Sequence, residues 1–435
     1  MRAWSTSPVP ALPGRGPVPR LHDSGRDAVV ETPVPDGRAG LYVCGITPYD
    51  ATHLGHAATY LAFDHLVRLW RDAGLEVTSV QNTTDVDDPL LERATATGVD
   101  WRALADEQTD LFRSDMQHLA VLPPDHYVAV TDVVPDVADA VARLVAAGLA
   151  YPVPTADALD ADRDDLYFDV RGAEAVTAWT LGDESRLDLD EMLRASAERG
   201  GDPDRPGKRD PVDPLLWRAA RDGEPSWDTA LGRGRPGWHV ECTVIAAQHL
   251  ETPFSVAAGG SDLVFPHHEM SAAHGTALTG RPHAAVHAHA GMVAYQGEKM
   301  SKSLGNLVKV SELVAEGHDP LAVRLAVAAH HYRTDWEWTD ADLAAGVARL
   351  GSWRAWAATE SGRSATPTPL LRTLREALVD DLDVPRALVA VDVAVASGGP
   401  VDEVDVDAVQ ALLGVDLRTA PTPPTRRGGP ADDAP

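Results

Sequence analysis

The sequence predicts an α/β fold: a Rossmann-like parallel sheet, split by an insertion and followed by a C-terminal helical bundle. Three observations carry this. Residues 40–47 (GLYVCGIT) read as a buried strand that gives way at once to a turn and a long apolar-periodic helix over about 54–74, with a second strand at 76–83. The same alternation resumes at 253–260 (PFSVAAGG) after a stretch, 150–236, rich in Asp, Gly and Pro. From 310 to 414 the apolar periodicity is helical throughout.

Taken in order, a proline-rich, irregular lead precedes the first strand. After the strand at 76–83, helices are expected over 88–97 and 101–119, and alternation of this kind predicts a parallel sheet flanked by helices. The interrupting segment offers one strand signal, LYFDV, and the block ERGGDPDRPGKRD at 198–210. A helix near 267–279 and a strand near 288–295 (AHAGMVAY) complete the second half of the sheet. The expected units are therefore 1–149 and 237–309 for the two halves of the nucleotide fold, 150–236 for the insertion and 310–417 for the helical domain. Residues 418–435 lack apolar periodicity and read as a disordered tail.

Composition narrows the function. The 435 residues carry 38 Lys+Arg against 66 Asp+Glu, a net charge of −28, so long-range attraction to a polyphosphate such as tRNA is absent. A small or neutral partner fits better. No apolar run approaches the roughly 18–20 residues that a bilayer-spanning helix requires. The N-terminus has prolines and arginines where a secretory signal needs an apolar core, so a cytoplasmic protein, expected to be a monomer, is indicated. The two cysteines, Cys44 and Cys242, form no local framework.

Two motifs carry chemistry. His53, Leu54, Gly55 and His56 form an HxGH tetrad where the first strand passes into its helix. A helix start presents unpaired N–H groups and partial positive charge to phosphate oxygens, two imidazoles can add hydrogen bonds, and Gly55 permits close approach of a nucleotide. Lys299, Met300, Ser301, Lys302 and Ser303 spell KMSKS in a loop that also holds Gly297, Gly305 and Asn306. Two ammonium groups there can follow negative charge as it moves onto a leaving pyrophosphate.

HLGH and KMSKS in this order on a split parallel fold resemble the class I aminoacyl-tRNA synthetases. YVCGITPYDATHLGHAATY at 42–60, NTTDVDD at 82–88, GWHVEC at 237–242, GGSDLVFPHHE at 259–269 and KMSKSLGN at 299–306 resemble the cysteine-specific branch. The resemblance implies a class I synthetase-type catalytic domain that activates L-cysteine with ATP and Mg2+. Cys44, Cys242 and His267 are soft and borderline ligands suited to one Zn2+, with His268 and Glu269 as neighbouring alternatives or supports. His267 is preferred because it matches the family's metal histidine, and the resemblance implies that the open coordination position receives the substrate thiolate.

Three departures separate the chain from cysteinyl-tRNA synthetase. Ser271 stands where that family has a glutamate as fourth zinc ligand. Only 132 residues follow Ser303, and from Asp340 to Pro435 nine Arg, no Lys and fifteen Asp+Glu leave a net charge of −6, a poor anticodon-binding surface. The ERGGDPDRPGKRD block resembles a sister family, the cysteine ligases of mycothiol biosynthesis, and either contacts the acceptor or shapes a loop. That resemblance implies transfer of the cysteinyl group to the amine of glucosaminyl-inositol, with no tRNA. A compact cysteinyl-tRNA synthetase is the rival reading.

By resemblance, His53 and His56 hold the ATP phosphates and Lys299 and Lys302 the migrating charge. The cysteinyl-adenylate pocket is expected to be lined by Cys44, Gly45, Ile46 and Thr47, by Thr59, by Asn82, Thr83 and Thr84, by Trp238, by Gly260, Ser261 and Asp262, and by Val293. Asp262, His268 and Glu269 are candidates for the base that takes the acceptor's proton.

Overall fold

The computed structural model describes residues 1–49, 52–300 and 305–419. The lead, expected to be irregular, packs down: Trp4 lies edge-on to Phe112 and Tyr127, and its indole donates to the Val121 carbonyl at 2.8 Å. It then forms a hairpin that the sequence did not announce, β1 (Arg20–Asp23) with β2 (Ala28–Glu31). The hairpin turn is fastened by the Ser24 N–H, which donates to the His287 carbonyl at 2.9 Å.

The first half of the main domain runs β3 (Arg38–Val43), α1 (Leu54–Asp72), β4 (Glu76–Thr83), α2 (Asp88–Thr97), α3 (Trp101–His118), β5 (His126–Ala129) and α4 (Val130–Ala146). Asp87 and Asp100 cap α2 and α3 by accepting first-turn N–H groups, and Gly98 closes α2 at φ 67. The insertion contributes β6 (Ala150–Val153), β7 (Asp165–Phe168), α5 (Val170–Val176), α6 (Leu189–Glu198), β8 (Leu215–Ala219), β9 (Trp227–Thr229) and β10 (Gly232–Pro236). It is more regular than expected: an antiparallel sheet ordered β6-β7-β8-β10-β9, whose short strands and Asp/Gly/Pro turns hide the alternation.

The second half follows as α7 (Trp238–His249), β11 (Phe254–Gly260), α8 (Glu269–Thr279) and β12 (Ala284–Ala290). The central sheet is parallel and ordered β12-β11-β3-β4-β5, which joins the two halves across the insertion. The strand expected over 288–295 is two strands in different sheets. β12 ends at Ala290, and β13 (Val293–Tyr295) pairs with β14 (Glu298–Lys299). Gly291 marks the break, because a Cβ there would lie 2.5 Å from the Thr334 backbone.

The helical domain comprises α9 (Val310–Ala315), α10 (Pro320–Ala328), α11 (Asp340–Ala357), α12 (Pro369–Leu378), α13 (Val384–Ser397) and α14 (Glu403–Leu413). It is interrupted by β15 (Trp336–Glu337), which joins β13 in parallel. The proposed boundary at 417 meets a fastened chain: Arg418 pairs with Glu360 at 2.8 Å and Asp407 at 2.7 Å. The rest of the expected tail, 420–435, lies outside the described residues.

Alternation along β3 distributes its side chains to two cores. Leu41 and Val43 face α1 and the helical domain, while Tyr42 and, just beyond the strand, Cys44 face α4, α7 and α8. Helix α1 is covered on both sides, by the sheet and by α10 and α14, so apolar residues occupy nearly every face. Inside that contact lies Asp64, with no exposed side-chain surface, paired with Arg324 at 2.5 Å and Arg68 at 2.8 Å. Arg324 also donates to the Leu413 carbonyl at 2.7 Å and the Leu119 carbonyl at 2.8 Å.

Burial alone would raise the Asp64 pKa, but the two guanidinium groups outweigh it and hold the carboxyl well below the usual carboxylate range. Burial lowers Arg324 to about 10, which leaves it charged at neutral pH. The contribution of Asp64 is therefore fully present above about pH 4, the ordinary aspartate value, and is lost as acid approaches the lowered folded value. Arg324→Met, which leaves buried charge and two carbonyls without their partner, is expected to cost about 3–5 kcal/mol in urea denaturation at pH 7. An unchanged midpoint would refute the assignment.

Candidate active site

β3 is the middle strand, and the chain leaves the sheet at its carboxyl end, where connections run one way to β4 and the other way to β11 and β12. Ligands of open α/β sheets bind at such a switch point. The strand expected over 40–47 ends at Val43, and residues 44–47 form an irregular shelf held by side-chain bonds. The Cys44 N–H donates to the Ala258 carbonyl at 2.9 Å, and the Gly45 N–H donates to Asn82 Oδ1 at 2.8 Å. A Cβ at Gly45 would fall 1.6 Å from the Asn82 carbonyl oxygen, so only glycine fits.

Asn82 also accepts the Tyr42 hydroxyl at 2.9 Å and donates to Thr84 Oγ1 at 3.1 Å, while the Thr84 N–H reaches the Ile46 carbonyl at 2.9 Å. Asn82, Thr83 and Thr84 are thus enclosed beneath the shelf. Thr47 is half-buried upon it, whereas Ile46 is buried. Across from it, at the carboxyl end of β11, Gly260, Ser261 and Asp262 are half-buried, and Gly260 lies between Thr59 of α1 and Asp262.

His53 caps α1 with its own ring: Nδ1 accepts the Gly55 N–H at 3.1 Å, and the ring lies 4.0 Å from that of His56. A Cβ at Gly55 would meet His53 Cε1 at 2.8 Å, so this glycine makes room for the imidazole as well as for a nucleotide. The Leu54 N–H donates to the Val308 carbonyl at 2.9 Å, and His53 bridges Lys309, which joins the tetrad to the exit of the KMSKS loop. At the loop's entry, Gln296 (φ 59) and Gly297 (φ 77) turn the β13–β14 hairpin. Lys299 stands opposite Ala294, Val293 is buried at the start of β13, and Asn306 donates to the Tyr295 carbonyl at 3.0 Å. Lys302, with Ser301 and Ser303, lies outside the described residues.

Under the shelf, donor atoms of Cys44, Cys242 and His267 lie within 4.8 Å of one another, all three residues buried. They come from the end of β3, from α7 and from the Val264–His268 turn before α8. Both cysteines are free thiols. A hydrogen bond from Cys44, with His267 nearby, lowers the Cys242 thiol pKa against the effect of burial, whereas burial raises that of Cys44. Two thiols and an imidazole, shielded from water, form a donor set suited to zinc. Trp238 lies over His267 at 4.5 Å, and His239 meets His267 Nδ1 to Nδ1 at 2.9 Å. Ser271 does not join the donors; its hydroxyl donates to the His239 carbonyl at 3.2 Å.

Of the residues that brace this cluster, the sequence pointed to His268 as a support but not to His289, His287 or Ser24. Cys44 Sγ meets His268 Nε2 at 3.2 Å, His268 Nδ1 meets His289 Nε2 at 2.7 Å, and His289 Nδ1 meets Ser24 Oγ at 2.7 Å. Burial holds His289 down to about 3, and both imidazoles are neutral at physiological pH. Burial also opposes a charge on His287, but Glu184, 2.6 Å away, outweighs it and raises the pKa. The alternating His287 and His289 in AVHAHA were the available signal.

Glu269 is neither ligand nor free base. Its Oε1 accepts from Trp179 Nε1 and the Gly182 N–H, each at 3.1 Å, and its Oε2 from the Glu184 and Ser185 N–H groups at 3.3 and 2.8 Å. It clasps the insertion to α8.

Residues 30–348 match the family described as tRNA synthetases class I (C) catalytic domain. The chain is 63% identical over 421 residues to the L-cysteine:1D-myo-inositol 2-amino-2-deoxy-alpha-D-glucopyranoside ligase of Clavibacter michiganensis subsp. michiganensis, covering 96% of this chain and 99% of that protein. With the ligase of the same name from Micrococcus luteus it shares 59% over 427 residues, 96% of this chain and all of that one. Among solved structures, Mycobacterium tuberculosis methionyl-tRNA synthetase bound by methionyl-adenylate superposes with a TM-score of 0.58 at 17% identity, over 86% of this chain and 88% of that one. That likeness extends to the fold.

The clasp is testable. Glu269→Gln turns a donor toward N–H groups that need an acceptor, and is expected to lower stability by about 1–3 kcal/mol and to expose residues 179–185 to limited proteolysis. Wild-type protection of that segment would remove the clasp.

Proposed function

The chain belongs to the family of class I (C) tRNA synthetase catalytic domains, and we propose that it is an ATP-dependent ligase joining L-cysteine to the amine of glucosaminyl-inositol, a step of mycothiol biosynthesis. The carrying observation is the 63% identity that runs through 99% of a relative bearing that ligase name. The arrangement of the switch point supports the chemistry.

In the first step a carboxylate oxygen of cysteine attacks the α-phosphorus of ATP, and the bond to pyrophosphate breaks, giving cysteinyl-AMP. His53 and His56, with the N–H groups opening α1, would hold phosphate oxygens. Lys299 and Lys302 take up charge as it moves to pyrophosphate, assisted by Mg2+ carried with ATP. In the second step the acceptor nitrogen attacks the cysteinyl carbonyl, AMP departs with the bonding pair, and a base removes the extra proton. Asp262, His268 and Glu269 remain the candidates for that base; His268 and Glu269 are buried within hydrogen bonds of their own, and Asp262 is half-buried at the carboxyl end of β11.

Cys44, Cys242 and His267 would hold one zinc. When bound it supplies a soft site that favours the sulfur of cysteine over the oxygen of serine. The shelf of Cys44, Gly45, Ile46 and Thr47, with Thr59, Trp238 and Gly260 to Asp262, would orient the adenylate, while Asn82 and Thr84 hold the shelf from below and Thr83 is buried between them.

Incubation with ATP and cysteine is expected to yield an amide when glucosaminyl-inositol is supplied and no charged product when tRNA is supplied, each identified by mass. Formation of cysteinyl-tRNA would overturn the choice of acceptor. Cys242→Ala is expected to reduce zinc from about one per chain to near none and to abolish cysteine-dependent pyrophosphate exchange; retained zinc would sink the ligand set. Lys302→Ala is expected to slow adenylate formation by about 100- to 1,000-fold with cysteine affinity little changed, and an unaltered single-turnover rate would refute that role.

A further inference from the structure

The ERGGDPDRPGKRD block is tied mostly to its own domain. Asp202 accepts from the Tyr167 hydroxyl and from Lys208 Nζ, the latter at 3.0 Å, and Arg205 pairs with Asp165 at 2.8 Å. Lys208 donates to the Pro211 carbonyl at 2.7 Å, and Arg209 pairs with Asp169 at 2.5 Å while its guanidinium lies 4.2 Å over the Tyr151 ring. These contacts stitch the block to β6 and β7 and their connections. Arg199 does something else. Its guanidinium leaves the insertion and donates to the carbonyl of Phe265, in the turn that carries His267.

The local chain is built to aim it. Arg199 is the residue at which α6 stops, Gly200 follows in the left-handed region at φ 81, and the Gly201 N–H folds back onto the Ser196 carbonyl at 2.8 Å. A Cβ at Gly201 would lie 2.1 Å from Ser196 Oγ, so the fold-back needs glycine. On the receiving side, Phe265 is extended (φ −141, ψ 139) within an otherwise helical turn, and its carbonyl is the group that Arg199 takes. Met192 and Ala195 of α6 share one buried cluster with Phe265, Cys44 and Cys242.

We propose that Arg199 is a positioning residue for the metal-site turn: by holding the Phe265 carbonyl it sets His267 against the two thiols, and so couples the insertion to selection of cysteine. This rests on the reading that Cys44, Cys242 and His267 bind a metal. Supports of this kind, one shell outside the ligands, typically change metal affinity or activity about 10- to 100-fold.

The test uses the full chain stripped of metal and reloaded with Co2+, whose visible bands report ligand geometry. Arg199→Met is expected to shift those bands, to release metal to a competing chelator about tenfold faster, and to raise the KM for cysteine about tenfold while the KM for ATP stays within about twofold. Arg199→Lys, which retains a donor, is expected to recover most of each effect. Arg209→Met, in the same block but bonded to Asp169, is expected to change the thermal midpoint without moving the spectrum. If Arg199→Met does not fold, Arg199→Gln is read by the same criteria. A wild-type cobalt spectrum together with a wild-type cysteine KM in the variant overturns the proposal, whatever happens to its stability. A native chain that takes up no cobalt overturns the metal reading and this inference together, which keeps the two failures apart.

Discussion

The position of α1 depends on one buried carboxylate. Asp64 bonds Arg68 within its own helix, Arg324 from α10 and the Leu122 N–H at 2.8 Å beyond α3, with no exposed side-chain surface. A buried network of this kind adds little net stability over an apolar replacement, but it is intolerant of a missing partner, and it therefore specifies one docking of the helix. That docking has a chemical consequence. About ten residues earlier the same helix begins beside His53 and His56, so the helical domain indirectly sets where the end of α1 proposed to hold phosphate points.

A second constraint acts on the opposite face of the sheet. The segment from Val264 to Glu269 is gripped by the insertion at both ends, through Arg199 at the Phe265 carbonyl and through four donors on Glu269. Between those grips lie His267 and His268. The N-terminal hairpin braces the same region through Ser24 on His289 and Asp23 on the His287 N–H at 3.1 Å. Segments distant in sequence thus converge on one thiol and imidazole cluster, whose donors must be preset because a buried site cannot rely on water to fill mismatched positions.

How much of this could be read in the sequence depended on whether the deciding contact was local. The bounds of β4 and α2 were legible because a strand run between turn signals and an Asp-capped, Gly-ended helix are settled by neighbouring residues. The end of β3 was not, since Gly45 leaves the sheet to meet a side chain from Asn82 on another strand. The hairpin at Arg20, the strand and helix at His126–Ala129 and Val130–Ala146, and four of the five strands of the insertion were missed, because each is short, interrupted by proline or glycine, or fixed by a distant partner; only β7 was announced, by LYFDV. The HLGH and KMSKS segments were legible as motifs. The union of Cys44, Cys242 and His267 was legible only through the family resemblance, since nothing in their spacing implies proximity.

The charge of the helical domain bears on the acceptor more strongly than its net value alone. Arg354 pairs with Asp319 at 2.6 Å, Arg349 with Asp392 at 3.1 Å, Arg375 with Asp72 at 2.7 Å and Arg418 with both Glu360 and Asp407, while Arg363 holds Asp407. These arginines close contacts between helices or anchor chain ends. A polyphosphate would have to draw such cations away from carboxylates that also repel it, and its gain from counterion release scales with the phosphates it can actually neutralise. The proposed pseudodisaccharide acceptor carries no phosphate and meets no such opposition. On the proposed reading, an acidic surface of this kind opposes a polyphosphate and mildly attracts an amine in its ammonium form.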